Sequence, residues 1–216
     1  DLRAHLQLEI QDVVLKPIAN LQAQVSGALQ WARLQGEQTL SGRLTIDPLR
    51  YTASFDLKSL IQRPRAILLS ERGASELPLL LNIKLEAPRH LFISNNVLQA
   101  ELAADLMLTG YSSRPGLVGS VSPLSAKARY LKHEFLVERA TIDFVEEYRV
   151  FAQYDVRAKT AACGIAVSVD IHGSSDDASI IPTGVDANGP VDPQDVLTCL
   201  QFGLRLKDFS GHEAAG

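Results

Sequence analysis

Leu98-Gln99-Ala100-Glu101-Leu102-Ala103-Ala104-Asp105-Leu106-Met107-Leu108 decides how the rest of the chain is read. Leu98, Ala100, Leu102, Ala104, Leu106 and Leu108 recur at every second position, with Gln99, Glu101, Ala103, Asp105 and Met107 between them. Side chains of an extended strand alternate between its two faces, so this period gives one apolar side and one mostly polar side. The phase returns in Leu79, Leu81, Ile83, Leu85 and Ala87, in Val150, Ala152, Tyr154, Val156 and Ala158, and in Ile165, Val167, Val169 and Ile171. Stacked together, such strands build a sheet with one continuous apolar surface. That surface must be closed into a core or used to hold something apolar.

Working outward, residues 1–58 read as an N-terminal β portion of four or five strands, continuing an upstream sheet. They include Leu21–Val25, Ala28–Arg33, Leu40–Ile46 and Tyr51–Leu57, with turn signals at Gly27, Gly36 and Asp47-Pro48. Residues 59–78 break the pattern and read as a loop or linker: Arg63-Pro64-Arg65 precedes the polar run from Ser70 to Glu76. The main sheet spans 79–173, with strands at Leu79–Ala87, His90–Ile93, Val97–Thr109, Leu117–Val121, Ala126–Tyr130, Glu134–Arg139, Thr141–Phe144, Arg149–Lys159 and Gly164–His172. Asn95-Asn96, Ser112 to Gly116, and Glu146-Glu147 supply turns. Residues 174–216 form a connector, a helix and a polar tail. The period is lost from Ser174 to Pro190. Asp192-Pro193-Gln194-Asp195 then starts a helix, with Asp192 as N-cap, Pro193 at the first helical position and Val196, Leu197, Leu200 and Leu204 as its apolar stripe. The chain is mainly β with one late helix.

The bulk properties narrow the partners. At 216 residues, 46% hydrophobic and 21% charged, the chain is long enough for a sizeable core and is not a disordered polymer. A formal charge of −4 argues against nucleic acid as a main partner. No run approaches the roughly 20 apolar residues of a membrane-spanning helix. The chain opens at Asp1 without Met and reads as a fragment of a longer protein, so the lack of a targeting signal says nothing about location. Cys163 and Cys199 are too few for a disulfide framework. They can pair in an oxidising compartment or pack as two small hydrophobes, and sequence alone does not place their Cα atoms within bonding range.

Catalytic chemistry finds little support. His5, His90, His133, His172 and His212 lack the close spacing of common zinc sites, and neither cysteine has another nearby. Nucleophile elbows, phosphate loops and HExxH pairs are missing from the sequence, which points to no cofactor and no metal. Glu146 and Glu147 beside Asp143 are the nearest approach to paired carboxylates, but they fall in a turn where acid is normally solvated. Asp176-Asp177 lacks the alternating acids and glycine of a calcium loop. The residues point to a protein that is not an enzyme.

Several segments in order then carry a resemblance. His90-Leu91-Phe92-Ile93 and Leu98 to Gly110, followed by Pro115-Gly116-Leu117-Val118-Gly119-Ser120-Val121, Ala128-Arg129-Tyr130, Glu134 to Phe144 and Ile171-His172-Gly173-Ser174, resemble the C-terminal domain of the TamB family. Asp192 to Gly203 resembles that family's closing helix. The resemblance covers about residues 79–205 and extends upstream through Gly42 to Ile46 and Tyr51 to Leu57. Ala128 stands where the family usually has glycine, and the Cys163 segment and the Ser174–Pro190 stretch are atypical.

The resemblance implies an elongated, curled, solenoid-like β-sheet with an apolar concave groove. It also implies anchorage in the inner membrane through regions outside this chain, a place in the periplasm of a diderm bacterium, and movement of phospholipid toward the outer membrane. An Omp85-type outer-membrane barrel is the implied protein partner. Keeping one CH₂ from water is worth roughly 0.8 kcal/mol, so a two-chain lipid needs a long apolar wall. The expected lining is Leu79, Leu81, Ile83, Leu85, Leu98, Ala100, Leu102, Leu106, Leu108, Val150, Tyr154, Val156, Ile165, Val167 and Val169. Three alternatives stay open: a closed sandwich or barrel filled by the same side chains, a non-transporting docking module that pairs through sheet edges or the helix, and a polysaccharide-acting β-helix enzyme.

Overall fold

The computed structural model describes residues 4–16, 19–54 and 78–206. The loop expected over Ser59–Leu77 and the tail from Ser210 lie outside them. Eleven strands form one sheet whose spatial order is the order of the sequence: β1 (Ala4–Leu15), β2 (Leu21–Leu34), β3 (Glu37–Tyr51), β4 (Leu79–Ser94), β5 (Leu98–Tyr111), β6 (Arg114–Tyr130), β7 (His133–Glu146), β8 (Ala152–Ala162), β9 (Ile165–Ser174), β10 (Ala178–Asp186) and β11 (Gly189–Val191). Among the described residues one helix, α1 (Pro193–Phe202), follows. The order ends at β1 and β11 without joining them, so the sheet is open rather than a closed barrel. Neighbours run antiparallel except β3 and β4, which are parallel. A parallel pair needs a long crossover, and the stretch between Tyr51 and Leu79 supplies the length.

The strands are fewer and longer than their sequence suggests. Leu21–Val25 and Ala28–Arg33 are one strand, and Gly27 lies inside it rather than in a turn. Asp47-Pro48 likewise lies within β3, joined by a cis peptide bond. Leu79–Ala87 fuses with His90–Ile93, Leu117–Val121 with Ala126–Tyr130, and Glu134–Arg139 with Thr141–Phe144. Each of these joints is an irregularity in pairing. Register shifts fall between Ile10 and Val13, Thr45 and Leu49, Ala87 and Leu91, Glu101 and Leu102, and Val137 and Arg139. With the shift between Ala23 and Val25 and the unpaired stretch between Val121 and Lys127, they form a row from β1 to β8; β9 to β11 pair without one. Bulges bend a strand and increase its twist, so a row of them creases the sheet where it runs, across β1 to β8. Polar contacts fix the row. Asp12 Oδ1 accepts from Gln24 Nε2 at 2.9 Å, and His90 Nδ1 meets Asp47 Oδ1 at 2.8 Å across the parallel joint.

Two further expectations change, and the open alternative for the two cysteines is decided. The segment Ser174–Pro190 is not a plain connector, because it holds β10 and most of β11. The eighth strand starts at Ala152 rather than Arg149. Cys163 and Cys199 are joined by a disulfide, with their Cα atoms 6.1 Å apart. The helix start stands as expected: Asp192 accepts the Gln194 N–H at 2.8 Å and Pro193 occupies the first turn. Its inward stripe is Val196, Cys199 and Leu200, whereas Leu197 and Leu204 are exposed.

Candidate functional site

The register decides which side chains share a face, since directly paired residues point the same way. Ile83 pairs with Leu108, Leu85 with Leu106, Leu91 with Leu102 and Ile93 with Ala100. On the other side of β5, Leu98 pairs with Ala128, Ala104 with Val121 and Leu108 with Leu117. The face continues through Val121 with Ile142 and Ala128 with Phe135, then Ile142 with Tyr154 and Ala140 with Val156. It reaches β9 through Val156 with Ile171, Ala158 with Val169 and Ala162 with Ile165. In the other direction it runs through Leu81 with Leu40, Trp31 with Leu40, and Leu8 with Leu29.

Every expected lining residue that sits on a strand therefore falls on one face: Leu79, Leu81, Ile83 and Leu85 on β4, Leu98, Ala100, Leu102, Leu106 and Leu108 on β5, Tyr154 and Val156 on β8, and Ile165, Val167 and Val169 on β9. Val150 does not, because it precedes β8 and is exposed. Sequence reasoning missed the contribution of β1, β2, β3, β6 and β7. Trp31, Leu29 and Val25 carried the needed signal, since they share a period of two with Ala23 on β2.

The opposite face is charged and paired strand to strand. Arg43 meets Glu86 at 3.8 Å, Lys84 meets Asp105, and Lys127 meets Glu134 at 3.0 Å. Farther along, Arg139 meets Asp155 at 3.0 Å, Arg157 meets Asp170, and Lys159 meets Glu138 at 2.9 Å. The hydrogen bond from the Lys127 ammonium, reinforced by its charge, holds the Glu134 carboxyl below its ordinary range. Arg157 acts likewise on Asp170, again chiefly through its hydrogen bond. Such exposed pairs contribute little stability each, and their clearest effect is to keep this side of the sheet in water. The one acidic pair that sequence put forward is engaged as well: Glu146 receives both Arg149 Nε at 3.0 Å and Arg149 Nη2 at 2.8 Å. Among the described residues no three His, Cys, Asp or Glu side chains gather as a metal site.

The helix sits on the apolar face at its downstream end. Val196, Cys199 and Leu200 form one buried cluster with Phe135, Ala158, Ala162, Ile165 and Val167. Gly184 on β10 permits the approach, since a Cβ there would lie 2.6 Å from a Val196 methyl and 2.7 Å from an Ile165 methyl. Two of the expected lining residues, Ile165 and Val167, are thus covered by the chain's own helix, each 1% exposed. Arg205 closes the corner, donating from Nε to the Cys163 carbonyl at 3.1 Å and from Nη1 to Asp186 at 2.7 Å.

An open sheet, apolar on one face and charged on the other, defines an amphipathic β-wall rather than a cleft that holds reacting groups. A family model described as the TamB C-terminal domain matches residues 1–192, and the chain belongs to the TamB family. That family is a transport and assembly module rather than a known family of enzymes, and membership suggests a periplasmic role in outer-membrane assembly or lipid transport. The match ends at the N-cap of α1, so the likeness of Asp192–Gly203 to a family helix lies beyond it. No curated protein matches the chain.

Proposed function

We propose that this chain is the periplasmic part of a bridge between the inner and outer membranes, and that it conducts phospholipid along the apolar face of its sheet. The observation that carries the reading is the continuity of that face from Leu8 on β1 to Ile171 on β9, backed by a charged reverse side. Acyl chains lie along the apolar wall while head groups stay in water. At roughly 0.8 kcal/mol per CH₂ removed from water, continuity over many strands matters more than the depth of any one pocket. The strand-borne lining residues named above, apart from the helix-covered Ile165 and Val167, form the path. Val150, which is off the strands, does not belong to it. The protein partner is an Omp85-type barrel, which receives the sheet by strand addition. A second reading is favoured by the outer edge of β10. β11 pairs with β10 only from Gly184 to Asp186, so the outer edge from Ala178 to Thr183 has no described neighbour and suits a scaffold that docks without carrying lipid.

Native mass spectrometry with lipid extraction tests the proposal on the purified chain and on a Leu102→Arg/Leu106→Arg variant. Co-purified phospholipid that is lost from a variant with unchanged circular dichroism supports conduction. A lipid-free parent together with an unfolded variant makes these leucines ordinary core and gives the docking reading the lead.

A further inference from the structure

We propose that α1 is a redox-latched plug on the downstream end of the apolar face, held shut by Cys163–Cys199 and released when a dithiol reductant opens that bond. The inference rests on the reading of the face as a lipid path. It adds that the path is closed at one end by the protein itself. Val196 and Leu200 occupy the place an acyl chain would take over Ile165 and Val167, and they leave Val169 only partly buried beside the cluster. Released, α1 would return Phe135, Ile165 and Val167 to the open face and extend it toward β10.

The plug is built to depend on its latch. α1 is a single short helix, and an isolated helix below about 12 residues is marginal in water, so it persists through docking and tethering. Among the described residues, the disulfide is the one cross-link between helix and sheet; the main chain tethers α1 at its N-terminal end only, through Asp192 after β11. On the sheet side the bridge starts at a two-residue hairpin turn between the paired Ala162 and Ile165, in which Cys163 and Gly164 both have positive φ, 50° and 69°.

The two sulfurs differ in access. Cys163 is half-buried in this turn, beside exposed Gly164, whereas Cys199 is fully buried under the helix. A reductant thiolate therefore attacks Cys163 Sγ. The S–S bond breaks, the electron pair leaves with Cys199, which takes up a proton, and a mixed disulfide remains on Cys163. The second thiol of the reductant displaces Cys163, which leaves as thiolate and is protonated in turn, while the reductant departs as its own disulfide. Two electrons and two protons pass to the cysteine pair.

The test uses the full chain, oxidised or treated with dithiothreitol, in two arms. Hydrogen exchange read by mass spectrometry follows α1 and, as an internal reference, β5 and β6. The second arm places a photo-crosslinking benzoylphenylalanine at Val169 and adds vesicles of phosphatidylethanolamine and phosphatidylglycerol. On reduction, exchange in α1 is expected to accelerate about tenfold or more while β5 and β6 stay unchanged, and lipid cross-links at position 169 are expected to rise several-fold. A Cys163→Ser/Cys199→Ser variant should behave as the reduced protein and ignore dithiothreitol. Unchanged protection of α1 on reduction overturns the latch, as does loss of protection in β5 and β6 together with α1. Release of α1 without lipid cross-linking in either state upholds the latch and counts against the lipid path instead.

Discussion

The two ends of the apolar face are built from the same kinds of side chain and have opposite fates. At the β1 end, Leu6 and Leu8 are 61% and 53% exposed, while at the β9 end Ile165 and Val167 are 1% exposed. Strand period does not distinguish them, because all four lie on one continuous face. Two things differ: β1 is an edge strand with one neighbour whereas β9 lies between two, and α1 brings Val196, Cys199 and Leu200 onto the β9 end only. A period of two therefore identifies a face but not its cover: Ile83 and Leu102 are buried in mid-sheet away from α1, whereas Ile165 and Val167 lie under it.

The contrast can be broken from the covered end. Arg205→Met removes the guanidinium from the Asp186 carboxylate at a site where both side chains are nearly buried. Leaving such a carboxylate without its cation should cost about 4 kcal/mol, read as a lower urea midpoint with loss of α1 signal. Sharpening it takes one truncation made at each end. Ile165→Ala opens a cavity in the packed cluster and should cost about 3 kcal/mol, whereas Leu8→Ala at the exposed edge should stay within about 0.5 kcal/mol. Equal losses at both ends would mean that the β1 end is covered in solution. The smallest effect belongs to the reverse face. Asp170 titrates below its ordinary range because of Arg157, so its contribution is present above the usual carboxylate range and is lost as pH falls through that range toward the lowered value. Asp170→Asn should lower the neutral-pH urea midpoint slightly and flatten that part of its acid dependence.

The strands themselves were legible because one face is apolar over most of their length. The crease was not. Between Ile46 and Leu49, Val121 and Ala126, and Val137 and Ala140, the inward residues change from even to odd positions or back, although the face continues. Such a change of phase looks like the end of one strand and the start of another, and Pro48, Pro88 and Pro123 strengthen that impression. β10 was missed for a related reason: adjacent Ile180 and Ile181, then Pro182, spoil the alternation, and a strand near an edge tolerates proline. Most of the face could thus be named in advance from β4, β5, β8 and β9. Its closure by α1 could not, because that depends on a contact between Cys199 and a turn far upstream in sequence.

Spatial order that follows sequence order also bears on how the protein reaches this structure. Each new strand meets the strand just before it, and apart from the parallel β3–β4 step the connections are short, so chain closure is cheap and contacts stay local. The sheet can grow like a zipper, one hairpin at a time, as successive strands become available. The long parallel crossover is the single step where growth must wait for a distant segment, and it is there that folding should be slowest.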